Sequence, residues 1–265
     1  MLTRTEGIVL KTQKYGEADL IVTFLTSDRG IINAFAKSPR KTRSRFGSSL
    51  EPVTHSRISL WGKEQSLPKI TQADIINSFH QIRDNYHDFV NISKLMEMLI
   101  NLMPAGIPHK RLFSFFLNIL HTVKSSEQDP KDALHLITQI RLLAVIGYAP
   151  RLKGCGRCGD DSHDFYPDSG TTLCSRCAVD PGRAGKPFMR ISSKAAHFYT
   201  HSIEWPMNIS NRLKPAPQTL TELSGLLDKH LTYLLSRKLR SSEFAGPLSR
   251  PDAGVRPEII SSRSS

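Results

Sequence analysis

Residues 5–80 carry short runs in which apolar and polar side chains alternate, the spacing of half-buried β-strands. Turn-forming residues such as Tyr15-Gly16 separate the runs. The predicted strands are Gly7–Lys11, Leu20–Leu25, Ile31–Ala36, Arg57–Trp61 and Lys69–Ile76. Five short strands in so few residues fit a small closed barrel, of either the oligonucleotide-binding (OB-fold) or the SH3-like kind.

The apolar spacing changes to that of α-helices at about Asp84. Three stripes follow, at Tyr86 to Leu102, Leu112 to Val123 and Leu134 to Ile146. The last stripe ends before Gly147, a residue type that closes helices. We expect Phe113, Phe115 and Phe116 to pack between the helices, since their faces must be buried against one another.

The C-terminal part returns to helical spacing after an interruption. Helices are predicted at Ser192 to Ile203 and at Thr219 to Arg240, with a linker at Pro206 to Pro217. The predicted organisation is multi-domain: an all-β barrel at 1–80, an α-helical domain at 81–150 and 181–240, an insertion at 151–180 and a disordered tail at 241–265.

Positive charge lies at both ends of the chain. The net charge is +12, and basic against acidic residues number 12 to 7 in 1–80, 7 to 6 in 81–150 and 17 to 11 in 151–265. A basic surface suits a polyanion, most often nucleic acid, although a solvated basic face without a partner is the alternative. We expect a soluble cytoplasmic protein, because no apolar run approaches the roughly 20 residues that cross a bilayer.

The cysteines form one motif, Cys155-x2-Cys158 followed by Cys174-x2-Cys177. Two residues between ligands let one tight turn offer both sulfurs to one ion, and four thiolates close a tetrahedral shell. The motif therefore predicts one structural Zn²⁺ per chain. Two disulfides would need an oxidising compartment, and a redox dithiol would not explain why both pairs share one short segment.

The strongest electrostatic feature is five cations in nine residues between the third and fourth predicted strands: Lys37, Arg40, Lys41, Arg43 and Arg45. Cations in such a loop can follow a phosphate backbone. We expect Phe46, with Phe35 or Tyr15, to give a surface on which bases stack. A flexible charged loop without a ligand is the alternative.

Catalytic motifs find little support. The segment Gly182 to Pro187 has glycines too close together for a phosphate-binding loop, and proline stands where the magnesium-binding Ser or Thr belongs. An acidic group between the cysteine pairs consists of Asp160, Asp161, Asp164 and Asp168. It is expected to be a solvated face, since no second acidic cluster accompanies it. His163 is an alternative zinc ligand that four cysteines make unnecessary.

Several motifs resemble the bacterial recombination-mediator family RecO: Glu6 to Leu10, Tyr15 to Thr26 with Gly30 following, Arg40 to Phe46, Leu50-x-Pro52, and a four-cysteine insertion after Gly147-Tyr148-Ala149-Pro150. The resemblance covers roughly residues 1–240 and is most specific in the first 55 residues and at the cysteines. Relatives often have a small residue and Gly or Ala before the Arg-Lys pair, where this chain has Lys37-Ser38-Pro39. Some relatives lack the cysteines.

The resemblance implies a nucleoid-associated DNA repair factor that is not an enzyme. Such proteins bind single- and double-stranded DNA through an OB-fold, anneal complementary strands, act with RecR, and help load RecA on DNA coated by single-strand-binding protein. It favours the five loop cations as DNA contacts, with Lys11 and Lys14 as further candidates. The acidic, apolar-ended tail of single-strand-binding protein is expected in a groove of residues 84–149, with Lys110, Arg111 or Arg141 at its lip.

Two other function classes stay open from the residues alone. A zinc-ribbon adaptor would bind protein, with the basic loop merely solvated. A metal-dependent nuclease would need paired acidic clusters.

Overall fold

The protein contains a β-barrel, a helical domain and a small cysteine-containing module. A computed structural model describes residues 1–40, 46–62, 66–109, 111–127, 131–179 and 187–244. The barrel strands are β1 (Leu2–Tyr15), β2 (Asp19–Thr26), β3 (Gly30–Ala36), β4 (His55–Trp61) and β5 (Lys69–Asn77). They close in the order β1-β2-β3-β5-β4. The β3–β5 contact is parallel and the other pairings are antiparallel.

Strand β1 is longer than predicted because it serves two neighbours. Its first half pairs with β4 from Leu2 to Ile8, and its second half pairs with β2 from Gly7 to Tyr15, with an irregularity between Val9 and Lys11. An irregularity of this kind bends a strand and lets it belong to both walls of a small barrel. The other four strands lie within two residues of their predicted bounds.

Small side chains on one wall of the barrel make room for a large one inside it. Phe24 is fully buried together with Ala34 and Ala36. A Cβ at Gly7 would lie 3.1 Å from the ring of Phe24. The interior is therefore filled by side chains and is a packed core, not a channel.

The helical part begins directly after the barrel. Its elements are α1 (His80–Asp84), α2 (Tyr86–Leu102), α3 (Leu112–Ser125), α4 (Asp132–Ile146), α5 (Ser175–Ala178), α6 (Ser193–Glu204), α7 (Met207–Ser210), α8 (Pro217–Leu235) and a 3₁₀ helix (Arg240–Glu243). Gly147 ends α4 with φ of 82°, and Ser192 caps α6 by accepting from the Ala195 amide, as predicted. No helix within these described ranges is long and apolar enough to cross a membrane.

Three local predictions need correction. The expected linker at 206–217 contains the one-turn helix α7, which is too short to show a period. The helix predicted to reach Arg240 ends at Leu235, where Ser236 adopts a left-handed φ of 54°. The following 3₁₀ helix packs on α2 because Glu97 accepts from the amides of Arg240 and Ser241. The rest of the expected tail, residues 245–265, lies outside the described residues.

One outer face of the barrel belongs to the core of the helical domain. Ile8, Leu10, Leu25 and Ile31 lie in the same buried cluster as the helix residues, among them Phe113 and Phe116, which confirms their packing role. Arg83 of α1 secures the junction by donating to the Pro52 carbonyl at 3.2 Å and by pairing with Glu51 at 3.0 Å. The two parts consequently share one hydrophobic interior.

Gly30 lets the loop between α2 and α3 lie against the barrel. Its φ is 66°, and a Cβ there would lie 2.1 Å from the backbone oxygen of Ile107. The adjacent Gly106 amide donates to the Ile31 carbonyl at 2.8 Å. Only glycine fits this close approach.

We therefore expect Gly30→Ala to lower the free energy of unfolding by about 3–5 kcal/mol, from left-handed strain and a backbone clash together. Gly16→Ala is the matched control, because Gly16 has a φ of 61° but no atom within 4 Å of its ideal Cβ. Its expected loss is about 1–2 kcal/mol. Urea unfolding monitored by circular dichroism measures both; equal losses would contradict the role of Ile107.

Candidate nucleic-acid interface and metal centre

The start of the basic loop folds back on the β1–β2 turn. The Arg40 guanidinium donates to the Glu17 carbonyl at 2.8 Å, and the Arg40 amide donates to the Ala18 carbonyl at 3.3 Å. Ser38 has a φ of 57° and donates its amide to the Asp19 carboxylate at 2.6 Å. These bonds fix the loop's direction at its first residues, beside the end of β1.

Two of the five predicted loop cations can be placed. Lys37 and Arg40 are exposed, whereas Lys41, Arg43 and Arg45 lie outside the described residues. Lys14 is exposed at the end of β1, next to the same turn. Lys11 is also exposed, but it borders a groove between β1 and α2. Lys14 therefore lies near the basic loop, whereas Lys11 lies at a different surface, beside α2.

Phe46 is not available as a stacking surface. Its side chain is only 3% exposed and belongs to the barrel core with Leu50 and Ile58. The ring fills part of the barrel interior. The expected role of Phe46 in base stacking was therefore wrong.

An aromatic and cationic row crosses the outer surface of the barrel instead. Phe35 pairs in register with Lys69, and Lys69 pairs with Trp61 on the next strand. Their chain neighbours Ala34, Ile70 and Leu60 are buried inside the barrel, so these three side chains face outward. The rings of Tyr15 and Phe35 form a T-shaped pair, with centroids 5.9 Å apart.

Two members of this row are open to solvent. Trp61 is 60% exposed and Tyr15 is 57% exposed. The row lies beside the β4–β5 loop, because the Phe35 amide donates to the Pro68 carbonyl of that loop at 2.8 Å. Trp61 and Lys69 were missed at the sequence level, although a tryptophan that ends a strand before Gly62 is a usable signal. We call Tyr15, Phe35, Lys69 and Trp61 the aromatic row.

The four cysteine sulfurs converge on one point. All four lie within 4.8 Å of one another, and the Sγ atoms of Cys158 and Cys174 are 3.6 Å apart. That separation exceeds a disulfide bond and suits ligands around one ion. Gly156 is needed in the first turn, since a Cβ there would lie 2.4 Å from Thr171 Oγ1.

Charges around the sulfurs favour a cation between them. The amide of Cys158 and those of Cys174 and Arg157 lower the pKa of the Cys155 thiol to about 6 against the effect of burial. The pKa of Cys177 is raised to about 12 because its sulfur lies against those of Cys158 and Cys174. Four neighbouring thiolates repel one another, so all four ionise together only around a positive ion. The donor set and the turns fit Zn²⁺.

Two of the acidic residues near this centre form ion pairs. Asp160 pairs with Arg176, and Asp164 pairs with Arg190 at 3.0 Å. Asp161 has a side chain that is 91% exposed. His163 bonds to Ser193 Oγ at 3.2 Å and stands outside the sulfur cluster. Gly182 to Lys186 lie outside the described residues.

A groove of about 510 Å³ lies between β1, α2 and the 3₁₀ segment. Leu10, Phe89, Met96 and Ile100 supply its apolar lining, and Lys11, Arg237 and Arg240 supply cations. The Glu97 carboxylate in the lining already accepts from Ser241 and pairs with Arg237. Hydrogen bonds from Ser241 and Arg240 lower the pKa of Glu97 despite its burial.

The cations predicted at the lip of a helical groove differ in exposure and in hydrogen bonding. Arg111 is exposed immediately before α3, and Lys110 lies outside the described residues. Arg141 donates to the Trp205 carbonyl and to Ser210 Oγ, so its guanidinium joins α4 to the α6–α7 turn. Arg141 therefore does not form a groove lip.

Comparisons with known proteins place this architecture in a family. Residues 1–79 match the model "Recombination protein O N terminal", and residues 84–243 match "Recombination protein O C terminal". The DNA repair protein RecO of Thermodesulfovibrio yellowstonii is 40% identical, over 87% of this chain and 92% of that protein.

Two further relatives agree in length and name. The DNA repair protein RecO of a Nocardioides species is 35% identical over 92% of this chain and 99% of its own length. That of Thermobifida fusca is 33% identical over 91% and 96% respectively. The chain therefore belongs to the recombination protein O (RecO) family of DNA repair proteins.

Proposed function

We propose that this chain is a recombination mediator whose barrel acts as an OB-fold: it binds single- and double-stranded DNA and anneals complementary strands. With RecR as partner, it helps load RecA onto DNA coated by single-strand-binding protein. The family supports the repair and recombination role. The partners follow from the resemblance to RecO proteins.

The aromatic row carries the DNA-binding part of the proposal. Single strands bind where cations follow the backbone and bases stack on aromatic rings. Tyr15, Phe35 and Trp61 offer rings at the barrel surface, and Lys69 lies within their row. Lys14, Lys37 and Arg40 add cations at its Tyr15 end.

Annealing needs no chemistry beyond this surface. Two strands repel each other through their phosphates, and a basic surface that neutralises one of them lowers that repulsion. Bases held by stacking keep their pairing edges free for the second strand. No bond forms or breaks, so the proposed role is not enzymatic.

The loop cations are tested by Arg40→Ala, Lys41→Ala, Arg43→Ala and Arg45→Ala in one variant. We expect weaker binding to every oligonucleotide. The slope of log affinity against log salt concentration should become shallower by roughly 0.7 for each phosphate that is no longer neutralised. Fluorescence anisotropy at several salt concentrations measures both quantities. Arg57→Ala is the control, because Arg57 is exposed on β4 and pairs with Glu6. An unchanged slope in the quadruple variant would exclude the loop from the interface.

The stacking role predicts a different signature. Tyr15→Ala and Trp61→Ala should each cost about 1–3 kcal/mol of single-strand affinity while leaving the salt slope intact. In a Trp205→Phe background, Trp61 is the remaining tryptophan of the two in the chain. Its fluorescence should then be quenched by an added oligonucleotide. Tyr233→Ala, a change at a ring 54% exposed on α8, is the control; an equal loss there, or unquenched Trp61, would contradict the proposal.

We also propose a structural zinc ion held by Cys155, Cys158, Cys174 and Cys177. The ion would join the two turns of the small module, whose buried residues are few. A closed thiolate shell offers no open position for a substrate. The ion therefore supports folding of the module.

Elemental analysis of the purified protein should give about one zinc per chain. Cys155→Ser should lower both the zinc content and the thermal midpoint, with a smaller effect on DNA affinity. Ser175→Ala, between two ligands but without a thiolate, is the matched control. Folded wild-type protein that contains no zinc would refute the site.

The groove beside α2 is our proposed site for the tail of single-strand-binding protein. Its apolar lining suits the apolar end of that tail, and Lys11, Arg237 and Arg240 suit the acidic residues before it. This location replaces the expected lip at Arg141, whose guanidinium is used inside the helical domain.

A labelled peptide with acidic residues and an apolar C-terminus tests the groove. Lys11→Glu with Arg240→Glu should weaken its binding roughly threefold to tenfold per charge, and more at low salt. Arg111→Glu is the control on the same domain. If Arg111→Glu alone weakens the peptide, the tail binds beside α3 and this groove is the wrong site.

A further inference from the structure

A polar cluster lies between the first turns of α2 and α4. It contains His87 and Asp88 from α2, and Lys131, Asp132 and His135 from the start of α4. Asp88, Asp132 and His135 are each at most 5% exposed. Burying this many ionisable groups between helices is costly compared with apolar packing, so the cluster calls for an explanation.

The distances within the cluster are short. His135 Nε2 lies 2.8 Å from Asp88 Oδ1, and Lys131 Nζ lies 2.7 Å from Asp88 Oδ2. His87 Nε2 lies 3.1 Å from Asp132 Oδ1. Ligand atoms offered by His87, Asp88 and His135 all lie within 4.8 Å of one another.

One buried atom of the cluster lacks a hydrogen-bond partner. Nδ1 of His135 is shielded from solvent and accepts no hydrogen bond. The ring of His87 stands 5.2 Å from that of His135. With Nε2 turned toward Asp88, the imidazole leaves its buried Nδ1 unpartnered, so His135 is held in an orientation that its own hydrogen bonding does not favour.

The charges of the cluster suit a cation. Asp88 lies against His135 and Lys131, and Asp132 lies against His87. Two carboxylates and one ammonium leave the cluster with one net negative charge before any ion is bound.

We propose that His87, Asp88 and His135 bind a divalent first-row transition-metal ion, at a site separate from the four cysteines. Two imidazoles and a carboxylate are a set that such ions favour, while Ca²⁺ and Mg²⁺ prefer oxygen ligands. Ligands at right angles around an ion with bonds of roughly 2.1 Å lie roughly 3 Å apart. The contact of 2.8 Å between His135 and Asp88 has that size.

Asp132 and Lys131 act as partners of the ligands. The Asp132 carboxylate holds Nε2 of His87 and leaves its Nδ1 to the ion, the arrangement in which carboxylates orient metal-binding histidines. Lys131 bonds the outer oxygen of Asp88 and the Val123 carbonyl, so Oδ1 is directed at His135. The ion would join α2 to α4, and its binding would stabilise the folded chain.

Mn²⁺ is the probe for this site, because a hard ion does not displace zinc from four thiolates. The full-length, zinc-loaded protein is titrated with Mn²⁺, and the electron paramagnetic resonance signal of the free ion reports binding. We expect one equivalent to bind and the thermal midpoint to rise. His87→Ala removes a ligand whose side chain is 48% exposed, so the variant should fold and lose Mn²⁺ binding together with the shift in midpoint.

Asp132→Asn tests the residue that orients His87. It should weaken Mn²⁺ binding roughly 10- to 100-fold, although the three proposed ligands are all still present. His80→Ala, a change at an exposed histidine in α1, is the control and should bind normally. His201→Ala addresses the competing histidine pair on α6, where the rings of His197 and His201 are 6.3 Å apart. Loss of binding in His201→Ala, binding retained in His87→Ala, or no binding to the wild type would each overturn the proposal.

Discussion

The burial of one outer face of the barrel against the helices is the constraint on which the structure depends. Ile8, Leu10, Leu25 and Ile31 point away from the barrel interior into the helical core. Each such side chain contributes about 1.5–3 kcal/mol when it leaves water. Gly30 and Arg83 keep the two parts close enough for this contact. The orientation of the barrel on the helical domain follows.

Fixing one face of the barrel against the helices determines which part of its surface stays open to solvent. The aromatic row lies where β3, β5 and β4 meet the turn after β1, and its Tyr15 and Trp61 rings are exposed. Exposed rings are unfavourable in water unless a partner covers them, which is the reason to connect them with nucleobases. In the proposed interface, the cations at the Tyr15 end would meet the phosphates that stacked bases bring with them.

The cysteine module has a very small hydrophobic core of its own. Its buried residues are chiefly Cys155, Tyr166 and Leu173, and its strands are β6 (Asp164–Tyr166), β7 (Thr171–Thr172) and β8 (Met189–Arg190). So small a cluster cannot offset the entropy of ordering its chain without a cross-link. His230 of α8 reaches back to the Tyr148 carbonyl at 2.9 Å, at the point where the insertion begins.

Periodicity and spacing in the sequence by themselves determined most strands, the long helices and the cysteine quartet, because each depends on neighbours a few residues apart. Gly147 at the end of α4 and Ser192 at the start of α6 were predictable for the same reason. Only the tertiary structure decided that Phe46 points inward, that Trp61 joins Phe35 through Lys69, and that His87 meets His135. Those relations depend on strand register and helix packing across many tens of residues, where no local period carries information.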